Sequence, residues 1–186
     1  MTISVTDIFS IGIGPSSSHT VGPMRAAKQF LDSLEKHPAK VYTELRGSLS
    51  ATGRGHASDR AVILGLAGWD PLSVPIDAEP HAGGFIPSEG TISGPRGTVD
   101  YEIAFDNEPL PQHPNGMIFN AWDESGNLIA EKEEYFSVGG GFILSRSELD
   151  AEVAESNEVP AGVAAAQVDD TVPYHFTTGE ELLNLC

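Results

Sequence analysis

Cysteine is almost missing from this chain: its 186 residues include one, Cys186. No disulfide can form within the chain, and a metal cage built from thiolates alone cannot be assembled from it. Basic residues are scarce as well. Ten Lys and Arg stand against 27 Asp and Glu, for a formal net charge of −17. Such a surface repels nucleic acid and anionic membranes, and no basic stripe offsets it. Long hydrophobic runs are lacking, and no stretch reaches the length of a membrane span. The opening Met1-Thr-Ile-Ser-Val-Thr-Asp has neither the basic segment nor the apolar run of a secretory leader. These absences lead to the expectation of a cytoplasmic protein with no nucleic-acid or membrane partner.

What the chain has is enough apolar residue, 40% of the total, for one domain with a core. Its 20 Gly and 13 Pro predict many turns and a sheet rather than a helical bundle. The most informative segment is Gly12-Ile-Gly-Pro-Ser-Ser-Ser-His19-Thr20. Glycines and a proline shape a tight loop, Ser16, Ser17, Ser18 and Thr20 supply hydroxyls, and His19 can move a proton. Val21, Met24, Ala27, Leu31 and Leu34 then recur at helical spacing, so a helix is predicted over 20–36. Ser18 or Thr20 would cap it, and Pro23 is tolerated in its first turn. The loop is either an ordinary capped helix start or an anion site at the positive end of the helix dipole.

Lys40–Arg46 alternates and is predicted as a strand. Residues 47–56, Gly-Ser-Leu-Ser-Ala-Thr-Gly-Arg-Gly-His, form a second loop rich in glycine and hydroxyls, followed by a helix over 58–68. His56 at that helix start is either a surface histidine or a neutral ring competent as a base. The other histidines carry no partner pattern. A short helical turn is predicted over 5–10, loops over 71–96 and a strand over 98–105. Residues 117–122 and 128–136 flank Asp123-Glu-Ser-Gly-Asn127 as a hairpin. Gly139-Gly140-Gly141 is either a sharp turn or backbone that approaches a ligand closely. The expected organisation is a domain over 1–147, an acidic flexible linker over 148–172 with room for one weak helix, and a helix start over 173–186. Thr178 and Glu181 form a capping box there.

Familiar catalytic motifs are excluded. Residues 47–53 are not followed by Gly-Lys-Ser/Thr, so they make no nucleotide P-loop. Gly12-x-Gly14 lacks the third glycine of a dinucleotide fingerprint, and no Gly-x-Ser-x-Gly elbow occurs.

Taken in order, Gly12–Met24, Gly47–His56, Asn115-Gly-Met117 and Ser137–Ile143 resemble the N-terminal (beta) domain of the bacterial iron–sulfur-dependent L-serine dehydratases, or L-serine ammonia-lyases. The resemblance spans roughly residues 5–145 and returns at Pro173–Cys186. It implies deamination of L-serine to pyruvate and ammonia, with a [4Fe–4S] cluster acting as Lewis acid on the substrate hydroxyl. It assigns Ser16, Ser17, Ser18 and Thr20 to substrate binding, with Asn115, Gly139, Gly140 and Gly141 lining the same pocket. His19 and His56 are both candidates for proton handling. The family's cluster ligands are cysteines of a C-terminal (alpha) domain. One cysteine cannot hold a cluster, so the chain is expected to bind none, to need that domain as partner, and to be inactive alone. Cys186 is then an incidental thiol. The implied fold is α+β, a mixed β-sheet with helices on one face, similar to the allosteric substrate-binding domain of phosphoglycerate dehydrogenases. That kinship leaves open a sensing module for serine or another small anion, and a homodimer or purely structural dimerisation role.

Overall fold

The computed structural model describes residues 12–75, 78, 86–158 and 183, with backbone alone for 155–158. The helical turn expected over 5–10, His81, His175, Cys186, the linker beyond 158 and the capping box at Thr178 lie outside the described residues.

A mixed six-stranded sheet organises the first compact unit, which ends at Asp150, with strand order β2-β3-β1-β4-β5-β6. The strands are β1 (Lys40–Arg46), β2 (Glu89–Gly94), β3 (Gly97–Asp106), β4 (Gly116–Trp122), β5 (Leu128–Gly139) and β6 (Phe142–Ser145). Only β1 and β3 run parallel; the other neighbours are antiparallel. A parallel pair needs a crossover, and here it carries helices α2 (Ser48–Ala51) and α3 (Ser58–Leu66). Helix α1 (Gly22–Ser33) precedes β1, and α4 (Arg146–Glu158) follows β6.

Alternation along the strands decides which face is covered. Val41, Thr43 and Leu45 of β1 are buried, and their cross-strand partners are Tyr101, Ile103, Ala121, Phe119 and Met117. These side chains meet Ala26, Ala27 and Phe30 of α1 and Val62, Ile63 and Leu66 of α3 in one core. Phe30 stacks on Phe119 at 4.8 Å between ring centres, with Tyr135 edge-on to both. Each such buried ring contributes about 1.5–3 kcal/mol through its burial alone. The opposite sheet face carries Tyr42, Glu44, Arg46, Asp100 and Glu102. Lys40 donates to Glu102 across it at 2.7 Å, and Arg46 pairs with Asp106 and Glu44.

The α+β class and the mixed sheet are as expected, and so are the helices at 22–33 and 58–66 and the strands at 40–46 and 97–106. One strand, β2, falls where loops were predicted, and another, β6, where no element was assigned. β2 lies inside the stretch read as loop-rich because only Ile92 among Glu89–Gly94 is a large apolar residue. Its place comes from backbone pairing to β3. β6 is four residues long and follows three glycines, which hid it. Residues 48–51, expected as loop, form one helical turn. The residues following Ser145 enter α4, whose first turn is anchored by Arg146 on Glu134 and Asp150. Of the second compact unit, residues 151–186, the end of α4 and Leu183 are described. No helix among the described residues is long and apolar enough to cross a membrane.

Candidate functional site

Helix α1 does not begin with a standard turn. Ser17–Val21 wind as a π-turn: Val21 N–H donates to the Ser16 carbonyl five residues back, and Gly22 N–H to that of Ser17. Such wide turns add one residue to the helical path and cluster at functional sites. The cap differs from expectation too. Ser16, not Ser18 or Thr20, supplies it, with Ser16 Oγ accepting from His19 N–H at 3.2 Å. Thr20 is buried. Its Oγ1 accepts from Ser16 N–H and donates to the His56 carbonyl at 2.8 Å, tying the first loop to the second. Backbone N–H groups of Ser16, His19, Thr20 and Val21 are therefore all engaged inside the turn.

The π-turn brings the two histidines together. The rings of His19 and His56 lie 5.0 Å apart between centres, tilted by 43°. His19 is held on both sides: Nδ1 contacts Ser18 Oγ at 2.9 Å and Nε2 contacts Ser48 Oγ at 3.0 Å. Its backbone carbonyl accepts from Ser58 Oγ, so both ends of the second loop grip it. Burial, and then the neighbouring His56 ring, hold the His19 pKa below the usual histidine value. Its surroundings therefore favour the neutral form of the ring.

His56 is tied on one side. Its Nδ1 lies 3.2 Å from the Thr52 carbonyl, which can only accept. Nδ1 must then carry the proton, and in the neutral ring Nε2 keeps its lone pair. His56 lines an open cavity of about 700 Å³ with Ser50, Thr52, Arg54, Phe105 and Asn107. The ring half-buried beside His19 and open to that cavity is equipped to accept a proton.

The remaining predicted residues gather at the same end of the sheet. Asn115 donates from Nδ2 to the Ser137 carbonyl at 3.2 Å, and Ser137 N–H donates back to the Asn115 carbonyl. Ser137 Oγ in turn donates to the Ser18 carbonyl at 2.7 Å. Gly139, Gly140 and Gly141 all have positive φ, as the tight β5–β6 turn requires. Arg25 donates to the Gly141 carbonyl at 2.8 Å, pinning this turn to α1. Ser17 is exposed on the π-turn.

Ser48, Ser58 and Ser137 were not singled out in the sequence. Ser48 and Ser58 sit in the second loop and its helix, and only the fold reveals that both aim at His19. Ser137 is fully buried and lies 119 residues from its partner Ser18. Gly22 also packs closely on Ser137, because a Cβ there would fall 2.1 Å from Ser137 Oγ.

The family model for the serine dehydratase beta chain matches residues 4–148. The chain belongs to that family. Similar proteins include an L-serine dehydratase of Streptomyces coelicolor, 44% identical across the whole of this chain. L-serine dehydratase TdcG of Escherichia coli K12 is 41% identical across 99% of it, and an L-serine dehydratase of Mycobacterium tuberculosis is 42% identical across all of it. The chain spans about 40% of the length of each.

A [4Fe–4S] cluster, as the family resemblance implies, does not fit the side chains described. Among the described residues no three His, Cys, Asp or Glu converge to hold a metal, and the sequence offers a single thiol, Cys186. Clusters of this type are held by several thiolates.

Proposed function

We propose that this chain is the N-terminal part of an L-serine ammonia-lyase and supplies the proton-handling wall of its active site. The reaction removes the α-proton and the hydroxyl of L-serine as water, leaving aminoacrylate. Its imine tautomer then hydrolyses to pyruvate and ammonia. The chain's own residues serve the proton step. His56 Nε2 takes the α-proton, because the Thr52 carbonyl fixes the tautomer that leaves this nitrogen bare. His19, kept neutral and clamped by Ser18 and Ser48, sets the position of His56 and of the substrate without adding a second positive charge. The π-turn of Ser16, Ser17, Ser18 and Thr20 contacts the substrate through Ser17 and holds its shape through the others. Asn115, just before β4, and Gly139–Gly141, in the β5–β6 turn, support the π-turn.

The observation that carries this reading is the 5.0 Å approach of the two rings, with one tied on both nitrogens and the other on one. Cluster ligands belong to a C-terminal (alpha) domain outside this chain, in a longer cytoplasmic enzyme that works as a homodimer. Alone, this chain does not turn over serine. The test is anaerobic kinetics on the longer enzyme. His56→Asn is expected to lower kcat for L-serine by about 10²–10⁴-fold, the usual worth of a general base. A kcat within about threefold of the parent would overturn the assignment. Saturable serine binding by this chain, combined with a longer protein indifferent to His56→Asn, would favour the other reading. That reading is a small-anion sensing module on a sheet like the allosteric substrate-binding domain of phosphoglycerate dehydrogenases.

A further inference from the structure

The cavity beside His56 differs in charge from its surroundings. The chain carries 27 acidic residues, and three other cavities are lined by Asp100, Asp123 and Glu124, by Glu35 and Glu133, or by Asp32 and Asp70, while a fourth holds Arg60, which donates to the Ala78 carbonyl, and no carboxylate. No carboxylate lines the cavity that holds His56, and its one formally charged group is Arg54. Arg54 is exposed and forms no ion pair among the described residues, although Arg25, Lys28, Lys40, Arg46, Arg96 and Arg146 each have a carboxylate or carbonyl partner. Its field favours the ionised form of buried Asp59 without direct contact. The guanidinium carbon lies over the Phe105 ring, 5.0 Å from its centre. That contact engages the flat face of the group and leaves the N–H donors on its rim for a planar anion.

The π-turn offers little for that role, since its backbone donors at Ser16, His19, Thr20 and Val21 are already bonded internally, which leaves the uncharged N–H groups of Ser17 and Ser18. A substrate carrying a carboxylate next to the carbon that loses its proton needs a cation on the side of the base. A single residue, Gly55, separates Arg54 from His56 along the same loop, and both line one cavity. We infer that Arg54 binds the α-carboxylate of the substrate and restricts the site to free amino acids over their amides and esters. This rests on the lyase reading and assigns within that site the residue that recognises the acid.

The experiment uses the longer enzyme with L-serine and L-serinamide, which lacks the carboxylate. Where the amide is not turned over, its inhibition constant serves. Arg54→Gln is expected to raise KM for L-serine by about 10- to 100-fold, the worth of a charge-assisted hydrogen bond, with kcat little changed. The constant for serinamide should stay the same. Arg54→Lys, which keeps charge but loses the fork, should fall between, and guanidinium ion should restore part of the loss in Arg54→Ala. An unchanged KM in Arg54→Gln, or an equal loss for serine and serinamide, would overturn the assignment. Loss of activity in His56→Asn together with a normal Arg54→Gln would sink the role of Arg54 alone. A fully active His56→Asn would sink the underlying reading.

Discussion

The two histidines stand 5.0 Å apart, yet the loops that carry them are built in opposite ways. The loop before α1 is closed on itself. Ser16, Ser18 and Thr20 each use their hydroxyl within or against the turn, and Ser137 and Ser58 grip its carbonyls from β5 and α3. The loop before α3 is bonded along its backbone, with Thr52 N–H on the Ser48 carbonyl and His56 N–H on that of Thr52, but its outer side is open. Arg54 and Gly55 are exposed, Ala57 takes a left-handed conformation, and the helix that follows has no side-chain cap. One loop is therefore a fixed wall and the other a working face. A proton acceptor benefits from this division: the wall holds geometry within tenths of an ångström, while the working face stays accessible to the ligand.

The comparison breaks most sharply at Gly22. Gly22→Ala drives a methyl into Ser137 Oγ and should destabilise the chain by about 3 kcal/mol, the upper range of overpacking, read as a shift in denaturant midpoint. Pairing it with Ser137→Gly should recover part of that loss, because the two sites share one space. An equivalent methyl at Gly55, where the nearest atom is 3.5 Å away, should cost far less. A Gly55→Ala variant as damaging as Gly22→Ala would erase the distinction between wall and working face.

A smaller effect is expected at Ser48, where the two loops meet. Ser48→Ala removes the hydroxyl at His19 Nε2 and should lower stability by about 1 kcal/mol. In the longer enzyme it should reduce kcat more than it raises KM, and Ser48→Thr should restore most of the rate. A KM effect without a kcat effect would show that Ser48 serves binding instead of the histidine pair.

The smallest effect is on pH dependence. The pKa of His19 is depressed by burial and then by His56, and that of His113 by burial. In the window below about 6.5 the unfolded chain binds more protons than the folded one. The stability these neutral rings contribute is thus fully present above about 6.5 and is lost as pH falls through their lower folded values. Denaturant midpoints should decline on acidification, and His19→Gln should flatten that decline. Asp59, pushed up by burial, has the opposite sign: it favours the fold when protonated and withdraws that support as pH rises through its folded value. An acid slope unchanged by His19→Gln would mean that the ring is not held neutral by the closed loop.

The legibility of these features in the sequence follows their range. Lys40–Arg46 declared itself as a strand because alternation is local, and Gly22–Ser33 as a helix because its apolar residues recur at helical spacing. β2 and β6 were silent because backbone pairing, not side-chain pattern, puts them at the sheet edges. The motifs drew attention to His19 and His56 as separate loops. Their approach depends on the parallel β1–β3 pairing and on the π-turn, and neither leaves a compositional mark. Ser137 was out of reach for the same reason, since only the β4–β5 hairpin returns it to Ser18. Arg54 was visible as a cation, but the lack of acid around it is a property of the folded cavity.

The central claim is that His56 keeps its Nε2 lone pair free for proton transfer. The measurement that tests it most directly is a long-range ¹H–¹⁵N correlation spectrum of the histidine rings in this chain, recorded with the rings neutral. His56→Gln and His19→Gln spectra assign the signals. The account predicts that His56 carries its proton on Nδ1 and leaves Nε2 bare. A His56 ring protonated on Nε2 would contradict it.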